Sequence, residues 1–488
     1  MSPSAADEYD RVRAKLREIW GYEDFRPPQG EIVRTLLEGR DAAIVLPTGG
    51  GKSICFQLPA LLQTGLTLVV SPLVALMENQ VQELRDRRLP AALLHGQLDR
   101  RARRDTLTAI ERNRLRLLYL SPETLLSPPV WERLCQPQVG INGLILDEAH
   151  CLVQWGDTFR PAYRRLGAVR PALSNSKAAG TKIAIAAFTA TADPEAQQTI
   201  ATVLGLQRPR QFLYSPYREN LYLALKVAWT PRDRRQKLFK FIRAQGKTSG
   251  LVYVRTRGDS EKLAREAIAR GYAVAAYHAG LSGEERRAIE RGWIENQLQF
   301  VVCTSAFGMG VNKPDVRWVA HFQAPALLSE YVQEVGRAGR DGRSARALTL
   351  VSECTGLLDP EDKQRREFVR RQQREIFKRS RQLAKQFPQQ GEVEAIARQF
   401  PEGAIALSVL HCCAELQWRD PFHYQIVPGG GSGRGVPAID ATGTMARYVK
   451  WRGCRWQFLL AAFGFKSESA VMHCGHCDNC FPHKFNSS

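Results

Sequence analysis

Ala42-Ala43-Ile44-Val45-Leu46-Pro47-Thr48-Gly49-Gly50-Gly51-Lys52-Ser53 is an apolar run that breaks into glycine and reopens on a lysine and a hydroxyl. The short apolar run reads as a buried strand, and the segment after Ser53 reads as a helix. Glycines at such a junction let backbone N–H groups close around phosphate oxygens, and the helix start adds positive potential. In that reading Thr48, Gly49, Gly50 and Gly51 form a cradle for ATP, Lys52 reaches the β- and γ-phosphates, and Ser53 ligates Mg²⁺. The long form of this motif places Gly where the chain has Leu46, so the match is to the shorter G-K-S form. A glycine-rich helix cap is the bland alternative.

Working outward, Asp147-Glu148-Ala149-His150 follows the apolar run Gly143–Leu146. A carboxylate at a strand's C-terminal edge can hold Mg²⁺ through water, and its neighbour can activate the attacking water. These roles fall to Asp147 and Glu148. An exposed acidic turn is the alternative, but a phosphate loop upstream in the same alternating pattern favours a nucleotide hydrolase. Similar runs recur at Thr67–Val70, Arg116–Leu120 and Lys182–Phe188. A second series follows at Gly250–Val254, Ala273–Tyr277, Phe300–Cys303, Val316–His321 and Ala347–Val351. Short apolar runs separated by helical segments are the signature of buried parallel strands. The expected fold class is therefore α/β, with two tandem parallel-sheet lobes, 1–210 and 211–353, joined near Arg208–Asn220. Residues 354–443 read as a basic helical region, and residues 444–488 carry a cluster of cysteines. The stretch Gly429–Gly435, GGGSGRG, has flexible-linker composition.

The 488 residues are 44% hydrophobic and 24% charged, which excludes wholesale disorder. No apolar run approaches the roughly 18 residues of a membrane span, and the start MSPSAADEYDRVR is no secretory signal. The net charge of +20, with a pI near 9.7, points to a polyanion: nucleic acid or an anionic membrane surface. Eleven cysteines, an odd number, argue against a fully paired secreted framework. Cys474, Cys477 and Cys480 stand at C-x2-C-x2-C spacing, with Cys454 upstream. Four thiolates can hold a tetrahedral Zn²⁺ and leave no open position for chemistry. A disulfide pair or unrelated thiols are the alternatives. His473, His476 and His483 lie nearby and read as solvated.

G-K-S, D-E-A-H, Thr189-Ala190-Thr191 and Gln333–Gly342 (QEVGRAGRDG) stand in the order of superfamily-two helicases, and within them the chain resembles the RecQ DNA helicases. Phe25–Gln29, Ser71–Met77, Ala306–Pro314 and the aromatic-rich Cys151–Tyr163 are similar to further RecQ motifs. So is the four-cysteine region, although its usual acidic residue after F-G is Phe465. The resemblance covers roughly residues 10–371 and 444–482. It implies RecA-like lobes, ATP and Mg²⁺ as cofactors, a structural Zn²⁺, and DNA, single-stranded and forked, as partner; no membrane partner is expected. It implies 3′→5′ unwinding in repair or recombination, in the bacterial cytoplasm with the nucleoid, or in a nucleus. By resemblance Tyr22 and Arg26 stack about adenine and Gln29 bonds its edge. Arg340 is the arginine finger and Arg337 lies near the γ-phosphate, so hydrolysis depends on the lobes closing. Ser71, Ser121 and Thr304 follow strands, where hydroxyls can hold DNA phosphates. Trp155 and Phe159 offer stacking faces and Arg160 a cationic one; buried core aromatics are the alternative. The family's W-G-H-D-F-R is here Trp155-Gly156-Asp157-Thr158-Phe159-Arg160.

Two further expectations concern the end of the chain. Gly391–Phe400, Gly403–Trp418 and Phe422–Val427 read helix, helix, strand, as either a small winged helix or a platform for the zinc site. Eight residues follow Cys480, so the later winged helix and helical nucleic-acid-binding domain of many RecQ proteins are expected to be missing. On that basis the inserted segment is expected to grip duplex DNA. RNA unwinding, and DNA binding or annealing without unwinding, are the rival functions.

Overall fold

Every apolar run of the first series becomes a strand of one seven-stranded parallel sheet. In the computed structural model the strands are β1 (Ala42–Val45), β2 (Leu66–Val70), β3 (Ala91–Leu94), β4 (Leu117–Leu120), β5 (Ile141–Leu146), β6 (Ala184–Thr189) and β7 (Arg210–Leu213). Their order is β3-β4-β2-β5-β6-β1-β7. The described residues are 5–47, 49–153, 160–308, 311–353, 355–427 and 441–481. Thr48, Trp155, Phe159 and the GGGSGRG stretch lie outside them. Apart from the edge strand β7, the strands are buried on both faces, so they carry Leu, Ile, Val and Ala rather than an alternating pattern.

The second series forms a six-stranded parallel sheet: β8 (Leu221–Ala228), β9 (Gly250–Tyr253), β10 (Val274–Tyr277), β11 (Phe300–Cys303), β12 (Trp318–His321) and β13 (Ala345–Ser352). Its order is β10-β11-β9-β12-β13-β8. The change from one unit to the other falls between Tyr214 and Ser215, inside the Arg208–Asn220 joint. The second unit also takes in the four-cysteine region. Met445, Tyr448, Trp456, Leu459, Phe463 and Cys477 belong to the same hydrophobic core as Leu223 and Leu251.

Residues 373–427 belong instead with the first lobe. They hold the end of the basic helix Glu361–Ala384, then β14 (Gln390–Glu392), helices Val393–Gln399 and Gly403–Cys412, β15 (Leu416–Trp418) and β16 (His423–Ile426). The strands form an antiparallel sheet in the order β14-β16-β15, which is winged-helix architecture rather than an all-helical platform.

Arg234 is the fully buried charge on which the second unit's helix Pro231–Ala244 is anchored. Its guanidinium meets Asp359 at 2.7 Å and Ser352 Oγ at 2.9 Å, and it donates to the carbonyls of Phe322 and Leu350. Removing one partner of such a pair strands the other in a low dielectric. Arg234→Leu is expected to destabilise the second lobe by about 3–5 kcal/mol, read as a lower urea midpoint; an unchanged midpoint would show that Asp359 is not dependent on it.

Candidate active site and metal centre

Strands β5, β6 and β1 are neighbours, so the turns leaving their C-terminal ends stand side by side. These turns carry Asp147-Glu148, Thr189-Ala190-Thr191 and the phosphate loop. Gly49 and Gly51 have φ of 87° and 69°, the region glycine enters at no steric cost. Gly51 caps the helix Lys52–Leu62 with no side chain bonded to its first turn, leaving those N–H donors to a ligand. A Cβ at Gly51 would displace the end of the Gln29 side chain, so the glycine is required chiefly by φ.

Gln29 is buried and already engaged with the protein. Its Oε1 accepts from Arg26 N at 3.0 Å, and its Nε2 donates to Gly50 O at 3.1 Å. The residue thus ties the Arg26 turn to the phosphate loop, a role that reading Gln as an adenine partner had not foreseen. Tyr22 and Arg26 are exposed beside it, open to a base.

Lys52 Nζ lies 3.9 Å from Glu148 Oε1. Glu148 takes φ 53°, a left-handed turn that a glutamate adopts only when its surroundings enforce it. Its Oε2 is 3.1 Å from His150 Nδ1, which is also 3.1 Å from Thr189 Oγ1. Thr189 Oγ1 in turn accepts from Thr191 N at 3.2 Å. A continuous polar chain therefore runs from Lys52 through Glu148 and His150 to Thr189-Ala190-Thr191. Burial and the charge of Glu148 push the Asp147 carboxyl up to about 6. Burial opposes a charge on His150, but Cys151 and Glu148 beside it outweigh burial and raise it to about 10. Two crowded carboxylates, one lysine and a turn of free N–H donors suit a bound Mg²⁺–triphosphate, with Asp147 and Ser53 as the oxygen donors for the metal.

The nucleic-acid candidates are spread along the same sheet edge. Ser71 follows β2; it is buried, and its Oγ has no protein partner. Ser121 caps the helix Pro122–Leu125, accepting from Thr124 N at 3.2 Å. Arg160 pairs with Glu123 at 3.5 Å, joining the end of the aromatic-rich segment to that helix.

In the second unit, Thr304 follows β11 and accepts from Ala306 N at 3.4 Å. Arg337 is buried and donates to Gly308 O. Gly308 has φ 108°, and a Cβ there would run into the Arg337 guanidinium. Arg340 bonds Asn312 Oδ1 at 3.0 Å. Burial and the like charges of Arg337 and Arg218 pull its pKa below the ordinary arginine value. Crowded, partly desolvated arginines of this kind are poised for an anion. Sequence reading missed two supports of this arrangement. Arg218 donates to Gly339 O and, at 3.5 Å, to Ala338 O, fixing the turn between the two arginines. Glu334 receives both Arg255 nitrogens at 3.1 and 2.9 Å and meets His321 Nε2 at 3.0 Å. Burial alone would raise Glu334, but Arg255 and His321 hold it down at about 2. No local pattern announces either support, because each joins residues far apart along the chain.

The four cysteine sulfurs lie within 4.8 Å of one another, the one such cluster of possible metal ligands among the described residues. Cys474 Sγ and Cys480 Sγ are 3.9 Å apart, too far for a disulfide and close to the ~3.8 Å edge of a tetrahedron with Zn–S near 2.3 Å. Backbone N–H groups of Arg455, Cys474 and His476 point at sulfurs of Cys477, Cys454 and Cys474, each at 3.4 Å, as thiolate ligands require. His476 turns its Nδ1 to Cys474 O instead of the sulfurs. Arg455 clamps Asp478 at 2.8 and 3.1 Å, and Asp478 accepts from Leu225 N on the edge strand β8. The donor set fits one structural Zn²⁺.

Comparison with known proteins shows the family. Over 466 residues the chain is 52% identical to an ATP-dependent DNA helicase RecQ of Synechocystis sp., covering 95% of this chain and 97% of that one. The chain belongs to the RecQ family. A probable ATP-dependent DNA helicase RecS of Bacillus subtilis is 39% identical, over 70% of this chain and 66% of the relative. A RecQ of Haemophilus influenzae is 38% identical, over 68% and 52%. Residues 26–200 match the DEAD/DEAH box helicase family, 233–342 the helicase conserved C-terminal domain and 438–481 the RecQ zinc-binding family. Among solved structures, Mss116p bound to ssRNA and AMP-PNP has a TM-score of 0.59 at 18% identity, over 72% of this chain and 74% of that one. The Mycobacterium smegmatis helicase Lhr, bound to ssDNA and AMP-PNP, has 0.55 at 19%, over 88% and 61%. These two likenesses show the RecA-like fold of the RecQ lobes.

The zinc module shares the second lobe's core, so metal loss reaches beyond the module itself. Purified protein is expected to carry about one Zn²⁺ per chain, and Cys477→Ser to lower both zinc content and the melting temperature of the second lobe. Metal-free native protein that has never met a chelator would overturn the assignment.

Proposed function

We infer that this RecQ-family chain is an ATP-dependent DNA helicase that moves 3′→5′ along single strands and opens duplex DNA during repair and recombination. The observation that carries the reading is the polar chain Lys52–Glu148–His150–Thr189, built across three adjacent strand ends of a chain so similar to a RecQ helicase. RNA unwinding is not favoured, since the relatives reported above are DNA helicases by name.

In this reading residues 1–210 and 211–353 are the two motor lobes, 354–443 is the basic inserted region and 444–488 is the zinc module. Gly49, Gly50, Gly51 and Thr48 hold the phosphates of ATP, Lys52 balances their charge, Tyr22 and Arg26 stack about the base, and Gln29 bonds its edge. Mg²⁺, when bound, would supply neutralisation of the phosphate charge. Asp147 and Ser53 hold its position; Glu148 orients the attacking water and accepts its proton. Arg337 and Arg340 bring positive charge to the departing phosphate as the cycle proceeds. Ser71, Ser121 and Thr304 hold DNA phosphates. Trp155, Phe159 and Arg160 report an unpaired strand to Glu148. The cell compartment is proposed as the bacterial cytoplasm, at the nucleoid.

Lys52→Ala should abolish hydrolysis and unwinding while leaving DNA affinity within about two-fold, because the phosphate loop is not a DNA contact. Hydrolysis near the parental rate would remove Lys52 from the site. The raised Asp147 gives a second test. Metal binding needs the carboxylate, which is ionised only above about pH 6 in the free protein. kcat/KM for ATP should therefore fall as pH drops through about 6, and extra Mg²⁺, competing with the proton, should move that limb to lower pH. An acid limb indifferent to Mg²⁺ would assign it to another group.

A further inference from the structure

The inserted winged helix has its own small core of Phe387, Val393, Ile396, Leu407, Leu410 and Tyr424. The two parts of such a domain that normally meet DNA are the second helix of the helix–turn–helix and the wing. Here both are turned against the first lobe. The second helix, Gly403–Cys412 (GAIALSVLHC), contains no Lys or Arg and no amide to read a base edge. Ser408 Oγ on this helix donates to Pro161 O at 3.3 Å. In the wing, Phe422 packs into the first lobe's core, edge-on to Trp131 at 5.2 Å. Arg165 Nη1 donates to Pro421 O at 3.2 Å. The helix–turn–helix and the wing tip are thus spent at least in part on packing, whereas the sequence led to the expectation that the segment grips duplex DNA.

What it packs on is informative. Pro161 and Arg165 lie in the 3-10 helix Pro161–Ala168, which follows Arg160 directly. Tyr163 and Leu166 of this helix share a core with Ala149, Cys151 and Leu152. Those residues form the 3-10 turn Ala149–Leu152, whose cap is Glu148 itself. Arg164, almost wholly buried, is covered by the Cys412–Cys413 end of the inserted helix, and burial lowers its pKa. A chain of direct packing thus leads from the wing to Pro161–Ala168, to Ala149–Leu152 and to Glu148.

We propose that the inserted winged helix is an internal brace for Pro161–Ala168, and that Phe422 is a positioning residue through which DNA stimulation of ATP hydrolysis is transmitted. The inference rests on the helicase reading above. Without the brace, Arg160 and Glu148 lose their common frame, so basal turnover persists while DNA ceases to accelerate it fully.

The test uses the full chain with Phe422→Ala, Phe422→Leu and the double variant Phe422→Ala/Arg165→Met. Basal and DNA-stimulated kcat, the single-strand concentration giving half-stimulation, affinities for single-stranded and forked oligonucleotides, and hydrogen exchange at residues 160–168 are measured. F422A is expected to keep basal kcat within about two-fold and to lose about five-fold or more of the stimulation, with F422L restoring most of it. Exchange at 160–168 should accelerate in F422A and more so in the double variant, and the ratio of forked to single-strand affinity should not move. Equal loss of basal and stimulated rates would make Phe422 merely structural and overturn the proposal. A selective loss of forked-duplex affinity would overturn it in favour of a duplex grip. Full stimulation in the double variant, whether or not exchange at 160–168 accelerates, would overturn it too. Parental protein that DNA does not stimulate at all would instead sink the helicase reading, and the brace with it.

Discussion

The first lobe depends on one constraint: three loops leaving adjacent parallel strands must keep their polar groups satisfied without a ligand and yet remain able to receive one. Parallel order places the ends of β5, β6 and β1 together. A ligand-free phosphate loop would leave Lys52 facing buried carboxylates and a row of backbone donors facing nothing. The structure meets the first by lending Lys52 to Glu148, while the Gln29 amide donates to the Gly50 carbonyl and so holds the loop itself. The Lys52 contact, at 3.9 Å, is one that a triphosphate can replace with closer ones. The left-handed φ of Glu148 fits the same logic, because strain at a catalytic turn persists only where neighbours over-determine it, here His150 and Thr189.

Much of this was legible in the sequence, for a physical reason. Buried parallel strands are uniform apolar runs, and the runs at Thr67–Val70, Phe300–Cys303 and Lys182–Phe188 sit on observed strands. The strands of the two parallel sheets that went unread, β3, β7 and β8, all lie at sheet edges, as do β14 and β15 of the small antiparallel sheet, which were read as parts of helices. β3 is four residues, Ala-Ala-Leu-Leu, hemmed by Pro90 and Gly96. β7 buries only Phe212, so its pattern is mostly that of a loop. β8 abuts the joint between the units, where one apolar run cannot announce which side it serves. Motif glycines and cysteines were legible because their chemistry is local; Gly51 and the C-x2-C-x2-C spacing need no partner far away in sequence to be recognised.

What could not be read was long-range pairing. Arg255 and Glu334 are 79 residues apart, and Arg234 and Asp359 are 125 apart. Composition marks each as a charge and nothing more. Only the fold reveals that all four are buried, and that the arginine cluster on the turn after Val335 stands on a helix whose own Glu334 is already neutralised by Arg255. That neutralisation matters, because an unpaired carboxylate one turn from Arg337 would compete with phosphate for it.

The inserted domain shows the same limit in another form. Its element order was visible, and order alone suggests a DNA-reading module, since that is how helix–turn–helix units are commonly used. The side chains say otherwise. A reading helix presents basic and amide groups to solvent, whereas Gly403–Cys412 offers Ala, Ile, Leu and Val, and so must be covered. Covering it buries Arg164, beside Cys412 and Cys413, and part of Arg165, near Glu123 and Glu394; burial lowers the pKa of both, a cost that an apolar residue would not carry. A domain needed only for stability could cover an apolar helix with leucines. Arginines kept beneath it, immediately after the aromatic-rich segment, are what the proposed brace to Glu148 would hold in place.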